Sequence, residues 1–340
     1  MSNIEVKRKG ASIGMSSGTN ECQRPTAGHI FRWPVTNVAV LAVFLVCLPL
    51  VLKSGFHYHL AVLVGINATI AISLNLLMGY AGQVSLGHAG FVALGAYGTA
   101  ILSSRYGWPV PLALVSSAAG AGLIAFVLGR PILRLKGYYL ALGTLGLGMI
   151  IYLVISNEVW LTGGPDGMAA PVLELFGVRL MDPADWYWLV AVMLILVFWL
   201  SKNLINAPLG RALRALEGPE AVASSVGINV PWNKLLVFTL SAVIAALMGG
   251  FLALYAGFIS PSLADFMHSI ELVLMVLIGG IGSVVGAILG AAVITLLPQV
   301  LTVVEEYETL VFGLILISVM LFMPRGLQPS LMNLWRRIKR

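Results

Sequence analysis

Apolar residues in this chain come in runs and not in faces. From Val38 onward, stretches of 15 to 23 largely uncharged residues alternate with short polar or glycine-rich connections. They fall at Val38–Leu52, Tyr58–Met78, Leu86–Ser104, Val110–Gly129, Tyr138–Asn157, Asp185–Ser201, Leu235–Gly257, Ser262–Leu277, Val285–Val303 and Thr309–Met323. A helix that is apolar all round is buried or faces lipid, and about 20 such residues cross a bilayer. The pattern therefore predicts an all-α, polytopic membrane bundle of about ten spans. Two regions soften the count to eight to ten. Gly79–Gly98 and Gly279–Gly290 are glycine-rich and fit broken or re-entrant helices as well as clean turns. Ile270–Leu301 is 32 residues, too long for one crossing and short for two at ~1.5 Å per residue, so residues from Ser262 onward are needed to complete the pair.

Three segments follow. Residues 1–34 form a polar cytosolic tail with Lys7, Arg8 and Lys9 and a Gly/Ser-rich stretch, a composition that favours disorder. Residues 35–323 form the transmembrane domain, and 324–340 a basic cytosolic tail. The first apolar run ends in Pro49 and Lys53 with no small-residue cleavage site, which reads as a retained span and not a removable signal.

Composition narrows the class. Of 340 residues, 59% are hydrophobic and 10% charged, against about 25% charged in soluble domains. A soluble globule, a disordered chain and a nucleic-acid partner are all excluded. The two cysteines, Cys22 and Cys47, support neither a disulfide framework nor a cysteine metal site.

Charge placement orients the bundle, because Lys and Arg accumulate on the cytoplasmic side. With both termini inside, 17 of 20 Lys and Arg lie inside, and Lys53, Arg105 and Arg179 lie outside. The outside segments collect Glu158, Asp166, Glu174, Asp182, Asp185, Asp265, Glu305, Glu306 and Glu308. An odd span count would move the basic tail outside, so parity favours an even one. Trp33, Trp108, Trp160, Trp186, Trp188, Trp199 and Trp232 sit near proposed span ends, the level an indole prefers.

The longest inside connection, residues 202–234, contains GRALRALEGPEAVASSVGINVPWNK. Pro219 suits a first helical position, Glu220 the positive end of a helix, and Gly227 the left-handed residue after its C-terminus. The small residues between them fit a groove on another protein, with Arg211 and Arg214 nearby to pair with acids. The plainer reading is a surface connection between two spans.

Several stretches together resemble the membrane permeases of ABC importers for branched-chain amino acids, of the LivM type. They are LNLLMGYAGQVSLGHAGFVALGAY (74–97), LRLKGYYLALGTLGLGMI (133–150), LTGGPDGM (161–168), GRALRALEGPEAVASSVGIN (210–229), SIELVLMVLIGGIGSVVGAILGA (269–291) and MPRGL (323–327). The resemblance implies a coupling loop that docks on a partner ATPase, carried here by Arg211, Arg214, Glu217, Glu220, Ala221, Ala223 and Gly227. The family's Glu-Ala-Ala stretch is matched by Ala221, Val222 and Ala223, with the acid one residue earlier at Glu220. It also implies two ATP-binding subunits, a second homologous permease, a periplasmic substrate-binding protein and a place in the bacterial inner membrane. The Gly-Gly-Pro-Asp-Gly of 163–167 reads as a turn or as part of the surface facing the binding protein.

No lysine in the chain follows a glycine, so the Gly-Lys of a phosphate-cradling P-loop is absent. ATP must bind elsewhere, and no cofactor, metal or catalytic residue is expected in this chain. Asn67, Asn75, Gln83 and Glu271 are candidates for the translocation path, since polar groups within a membrane are costly and usually face an interior or a water-filled cavity. Alternatively they satisfy one another or loop backbone. Asp265, His268 and Glu271 recur every third residue and would share a helix side, while His88 reads as a packed, hydrogen-bonded residue. The glycines suit close helix packing or unwound backbone near substrate, and GYAGQVSLG resembles GGIGSVVG closely enough to hint at an internal repeat. Urea, short amides and other small solutes are alternative cargoes. An ion-coupled carrier would need mid-membrane titratable groups, and only Glu271 and Asp265, near the outer edge, could serve; an intramembrane enzyme would need a catalytic motif, and none is found.

Overall fold

In the computed structural model, the described residues are 35–50, 54–175, 178–214, 224–225, 227–301, 313, 317 and 326–328. Nine principal helices run through them. They are α1 (Val35–Cys47), α2 (Gly55–Asn75), α3 (His88–Ser104), α4 (Val110–Ile132), α5 (Tyr138–Asn157), and, after a single turn α6 (Val159–Thr162), α7 (Pro183–Asn206). The short α8 (Pro208–Arg214) precedes α9 (Val230–Ala256), α10 (Phe266–Gly279) and α11 (Val284–Leu301). Among the described residues, five segments are long and apolar enough to cross a membrane: Gly55–Tyr80, Val110–Ile132, Tyr138–Asn157, Pro183–Asn206 and Val230–Ala256.

The boundaries follow local chemistry. Pro183 and Pro231 occupy first-turn positions where no donor is lost. The Asn229 side chain accepts from the Trp232 amide at 3.2 Å and starts α9, so that helix begins at Val230 and not at the expected Leu235. Likewise Pro261–Ala264 is a tight 3-10 turn, and Asp265 caps the Phe266 amide at 2.7 Å. The expected helix start at Ser262 therefore moves to Phe266, leaving α10 with 14 residues. That is about 21 Å at 1.5 Å per residue, short of a full crossing. The last expected run, Thr309–Met323, lies almost wholly outside the described residues, as do both tails.

The core is built around α2, which is buried without interruption from Ala68 to Met78 as it passes into its last turn. It packs against α7, α9, α10 and α11, while α9 also covers α3 and α4. Lipid is as apolar as leucine, so close packing and hydrogen bonds hold such helices together. Glycine permits that approach: a Cβ at Gly95 would strike the Ala246 carbonyl, and one at Gly249 the Val92 carbonyl. Thr99 and Ser117 add a buried hydroxyl pair at 2.8 Å between α3 and α4.

Contacts between connections sort them into two ends. At one end, the Trp108–Pro111 turn meets Pro171, Val172, Glu174 and Arg179, and strand β1 (Met168–Ala169) pairs with a second two-residue strand at Phe258–Ile259. At the other, Arg130–Lys136 meets Asn229–Leu235. Among the described residues, the second end carries Arg130, Arg134, Lys136, Lys202, Arg211, Arg214 and Lys234 and no acid. The first carries Glu158, Asp166, Glu174, Asp182, Asp185 and Asp265 against Arg105 and Arg179.

Candidate functional site

Two breaks in helical structure meet inside the bundle. The first follows α2. Leu76–Tyr80 widens into a π-turn, a distortion frequent at functional sites, and Gly82 turns the chain with φ +63°. Residues 82–87 then run without helix until α3 begins at His88. The second break joins α10 to α11 through Gly280 and Gly282, with φ +112° and +78°. They touch at Gly79 and Gly282, where a Cβ on Gly79 would collide with the Gly282 backbone. The two similar glycine-rich motifs thus each end one helix, start another, and pack against each other.

Non-helical backbone inside a membrane protein must find its partners within the protein. At the second break, Asn75 and Tyr80 supply them. The Gly282 amide donates to Asn75 Oδ1 at 2.8 Å, Asn75 Nδ2 donates to the Ser283 carbonyl at 2.6 Å, and the Tyr80 hydroxyl donates to the Gly282 carbonyl at 2.6 Å. Both ends of the Asn75 amide are engaged in bracing the turn. Asn67 is also engaged: its Nδ2 donates to Thr295 Oγ1 on α11 at 2.9 Å. Both asparagines therefore hold the helices together.

The first break is satisfied differently. The Gln83 amide donates to the Leu77 carbonyl at 3.1 Å, the Leu86 amide to Thr144 Oγ1 at 3.1 Å, and the Ala89 amide to Ser269 Oγ at 3.2 Å. The segment is threaded between α5, α9 and α10, and its side chains alternate. Gly82 and Val84 face outward, whereas Gln83 and Ser85 face inward and are each 1% exposed. Neither polar end of Gln83 nor the Ser85 hydroxyl has a hydrogen-bond partner among the described residues. His88 is buried with Nε2 3.2 Å from Ser241 Oγ, and Ser241 donates to the Ser73 carbonyl at 2.8 Å. Its Nδ1 is unpartnered. A buried polar group without a partner costs about 1–3 kcal/mol, so Gln83, Ser85 and His88 Nδ1 are poised for water or solute.

Glu271 lies on α10 with its Oε2 3.2 Å from His268 Nδ1. Its side chain is 43% exposed, on the bundle surface with Met267 one turn before it. Asp265 caps the helix and leaves the pair to His268 and Glu271. Ser269, between them in sequence, reaches the first turn of α3, so this stretch lies beside the first break. Sequence reading picked out Ser85 beside Gln83 but missed Thr144, Ser241, Ser269 and Tyr80 as parts of the junction. Isolated hydroxyls within apolar runs are the one signal that marks them.

At the basic end, α8 folds back on α7. The Arg214 guanidinium donates to the Ile205 carbonyl at 3.0 Å and Arg211 to the Asn206 carbonyl at 3.5 Å, where a helix C-terminus favours cations. Leu213 is buried. Gly227 has φ +82° with open space around it, and its amide bonds to the Ser224 carbonyl at 3.0 Å. That is the left-handed geometry expected after a helical turn. Glu217, Glu220, Ala221 and Ala223 lie outside the described residues. Among the described residues, no cluster of His, Cys, Asp or Glu could hold a metal ion.

Unpaired polar groups enclosed by apolar helices of membrane length fit a membrane permease. This chain belongs to the family described as the permease component of branched-chain amino acid transport systems, whose model matches residues 58–320. It is 34% identical over 318 residues to the high-affinity branched-chain amino acid transport system permease protein LivM of Salmonella typhimurium, covering 85% of this chain and 73% of that one. The LivM of Escherichia coli is 33% identical, with 86% and 74% covered. The LivH permease protein of Salmonella typhimurium is 27% identical over 242 residues, with 68% and 72% covered. No solved structure matches the chain.

Proposed function

We propose that this chain is the membrane-spanning subunit of an ATP-driven importer that carries leucine, isoleucine and valine across the bacterial inner membrane. The observation that carries the reading is the 34% identity to LivM across 85% of the chain. It is a transport subunit and not an enzyme. Lacking a Gly-Lys pair, it depends on separate subunits to bind and hydrolyse ATP.

The charged connections sort to an acidic and a basic end, and the basic end faces the cytosol. With Thr309–Met323 as the last crossing, and the helices beside the two breaks counted as full or partial crossings, this reading has eight to ten spans and two cytosolic termini. Residues 211–227 dock on the ATPase. Arg211 and Arg214 anchor the segment to the end of α7, so that movement of the loop is passed to a helix packed on α2. The acidic end offers a surface to a substrate-binding protein. Gln83 and Ser85 line the route, where the ammonium and carboxylate of an amino acid would supply the partners they lack. A second permease covers the exposed side of α10 that bears Met267 and Glu271. A carboxylate on a lipid-facing surface is costly, whereas one beside another subunit or a wet route is tolerated.

The test is uptake into proteoliposomes holding this chain, a second permease, the ATP-binding subunits and a binding protein. ATP-dependent accumulation of leucine, isoleucine and valine is expected. Uptake of urea or a short amide in their place would change the cargo, and uptake driven by an ion gradient with no ATPase present would overturn the reading. In the same vesicles Gly227→Trp should lower uptake about tenfold, a loss of about 1.4 kcal/mol of coupling, while thermal stability is retained. Unchanged uptake would argue against docking at this segment.

A further inference from the structure

The basic end holds a pocket that the transport reading does not use. The C-terminal end of α4 and the turn after it supply Arg130, Leu133, Arg134 and Lys136. The start of α9 supplies Asn229, Val230, Pro231, Trp232, Lys234 and Leu235. These line a 590 Å³ pocket with four cations and no acid among its described lining residues. Its walls are fixed: the Arg130 guanidinium lies 4.6 Å over the Phe126 ring, and Phe126 meets Trp232 edge-on at 6.2 Å.

The surface leading to the pocket decides what it takes. Leu123 and Val127 are 64% and 56% exposed, and Arg130 follows them by seven and three residues, placing all three on one stripe of α4. Apolar surface thus runs along the membrane-length helix directly to the cations, with an indole at the boundary, where Trp favours the headgroup level. A soluble anion would use the cations and leave the apolar stripe in water. An acidic protein surface would do the same. A molecule with a phosphate at one end and acyl chains at the other uses both.

We propose that this pocket binds the headgroup of an anionic phospholipid, with Arg130 and Arg134 facing the phosphate and the acyl chains lying along Leu123 and Val127. Each cation near an anionic headgroup contributes about fivefold in affinity, so removing two should cost about 25-fold.

The test is native mass spectrometry of the full-length protein in neutral detergent, titrated with phosphatidylglycerol or phosphatidylcholine. Retention of phosphatidylglycerol over phosphatidylcholine is expected, lost in R130Q/R134Q and kept in R130K/R134K. R179Q, at the opposite end, should retain the preference. Equal retention of the two lipids by the unaltered protein, or an unchanged preference in R130Q/R134Q, would overturn the proposal. So would displacement of the lipid by an equal concentration of inorganic phosphate, which would mark a site for soluble anions. If R130Q/R134Q kept its lipid and lost co-purifying ATP-binding subunit, the surface would belong to a protein partner and the proposal would fall.

Discussion

The two helix breaks that meet at Gly79 and Gly282 are made of similar residues and are finished in opposite ways. At 280–283, Asn75 and Tyr80 engage the freed backbone, and both the nitrogen and the oxygen of the Asn75 amide are bonded to it. At 82–87, a hydroxyl on α5 accepts from the Leu86 amide and one on α10 from the Ala89 amide just beyond, while the side chains of Gln83 and Ser85 stay buried with no partner among the described residues. The first arrangement is a brace, and polar groups there contribute stability. The second holds polar groups at a cost, which is expected where binding uses them. A buried polar residue in a membrane bundle thus reports on function chiefly through what it leaves unsatisfied.

Substitutions can break or sharpen this contrast. Gly79→Val should have the largest effect, because its Cβ falls on backbone that cannot yield; a loss of about 3 kcal/mol or more is expected in thermal unfolding in detergent. Asn75→Leu should cost about 2 kcal/mol in the same assay, since it strands the Gly282 amide and the Ser283 carbonyl. If Asn75→Leu were neutral in stability yet blocked uptake, the brace would have to be read as part of the route. Asn67→Val, which removes one bond to Thr295, should cost about 0.6 kcal/mol. A double-mutant cycle with Thr295→Val should recover that amount as coupling.

Most of the helical plan is readable from apolar runs alone. Tyr138–Asn157 falls on its expected boundaries, and the basic and acidic connections sort to the two ends expected of them. What sequence does not carry is depth and pairing. Hydropathy counts Ser262–Ala264 as helix because it weighs side chains; the turn is made by Pro261 and the Asp265 cap. Asn75 and Gln83 look alike as polar residues near glycines. They differ in partners that lie about 200 residues away for Asn75 and are absent among the described residues for Gln83. The similarity of GYAGQVSLG and GGIGSVVG hinted at a relation between two segments, but not that they touch.

Gln83→Leu tests the contrast most directly, with thermal stability and ATP-driven leucine uptake measured on the same reconstituted preparation. An apolar side chain of similar size removes two buried unpaired atoms, so stability should change by no more than about 0.5 kcal/mol or rise. Uptake should fall about tenfold or more. Unchanged uptake, or a loss of stability that accounts for the lost uptake, would contradict the assignment of this break to the transport route.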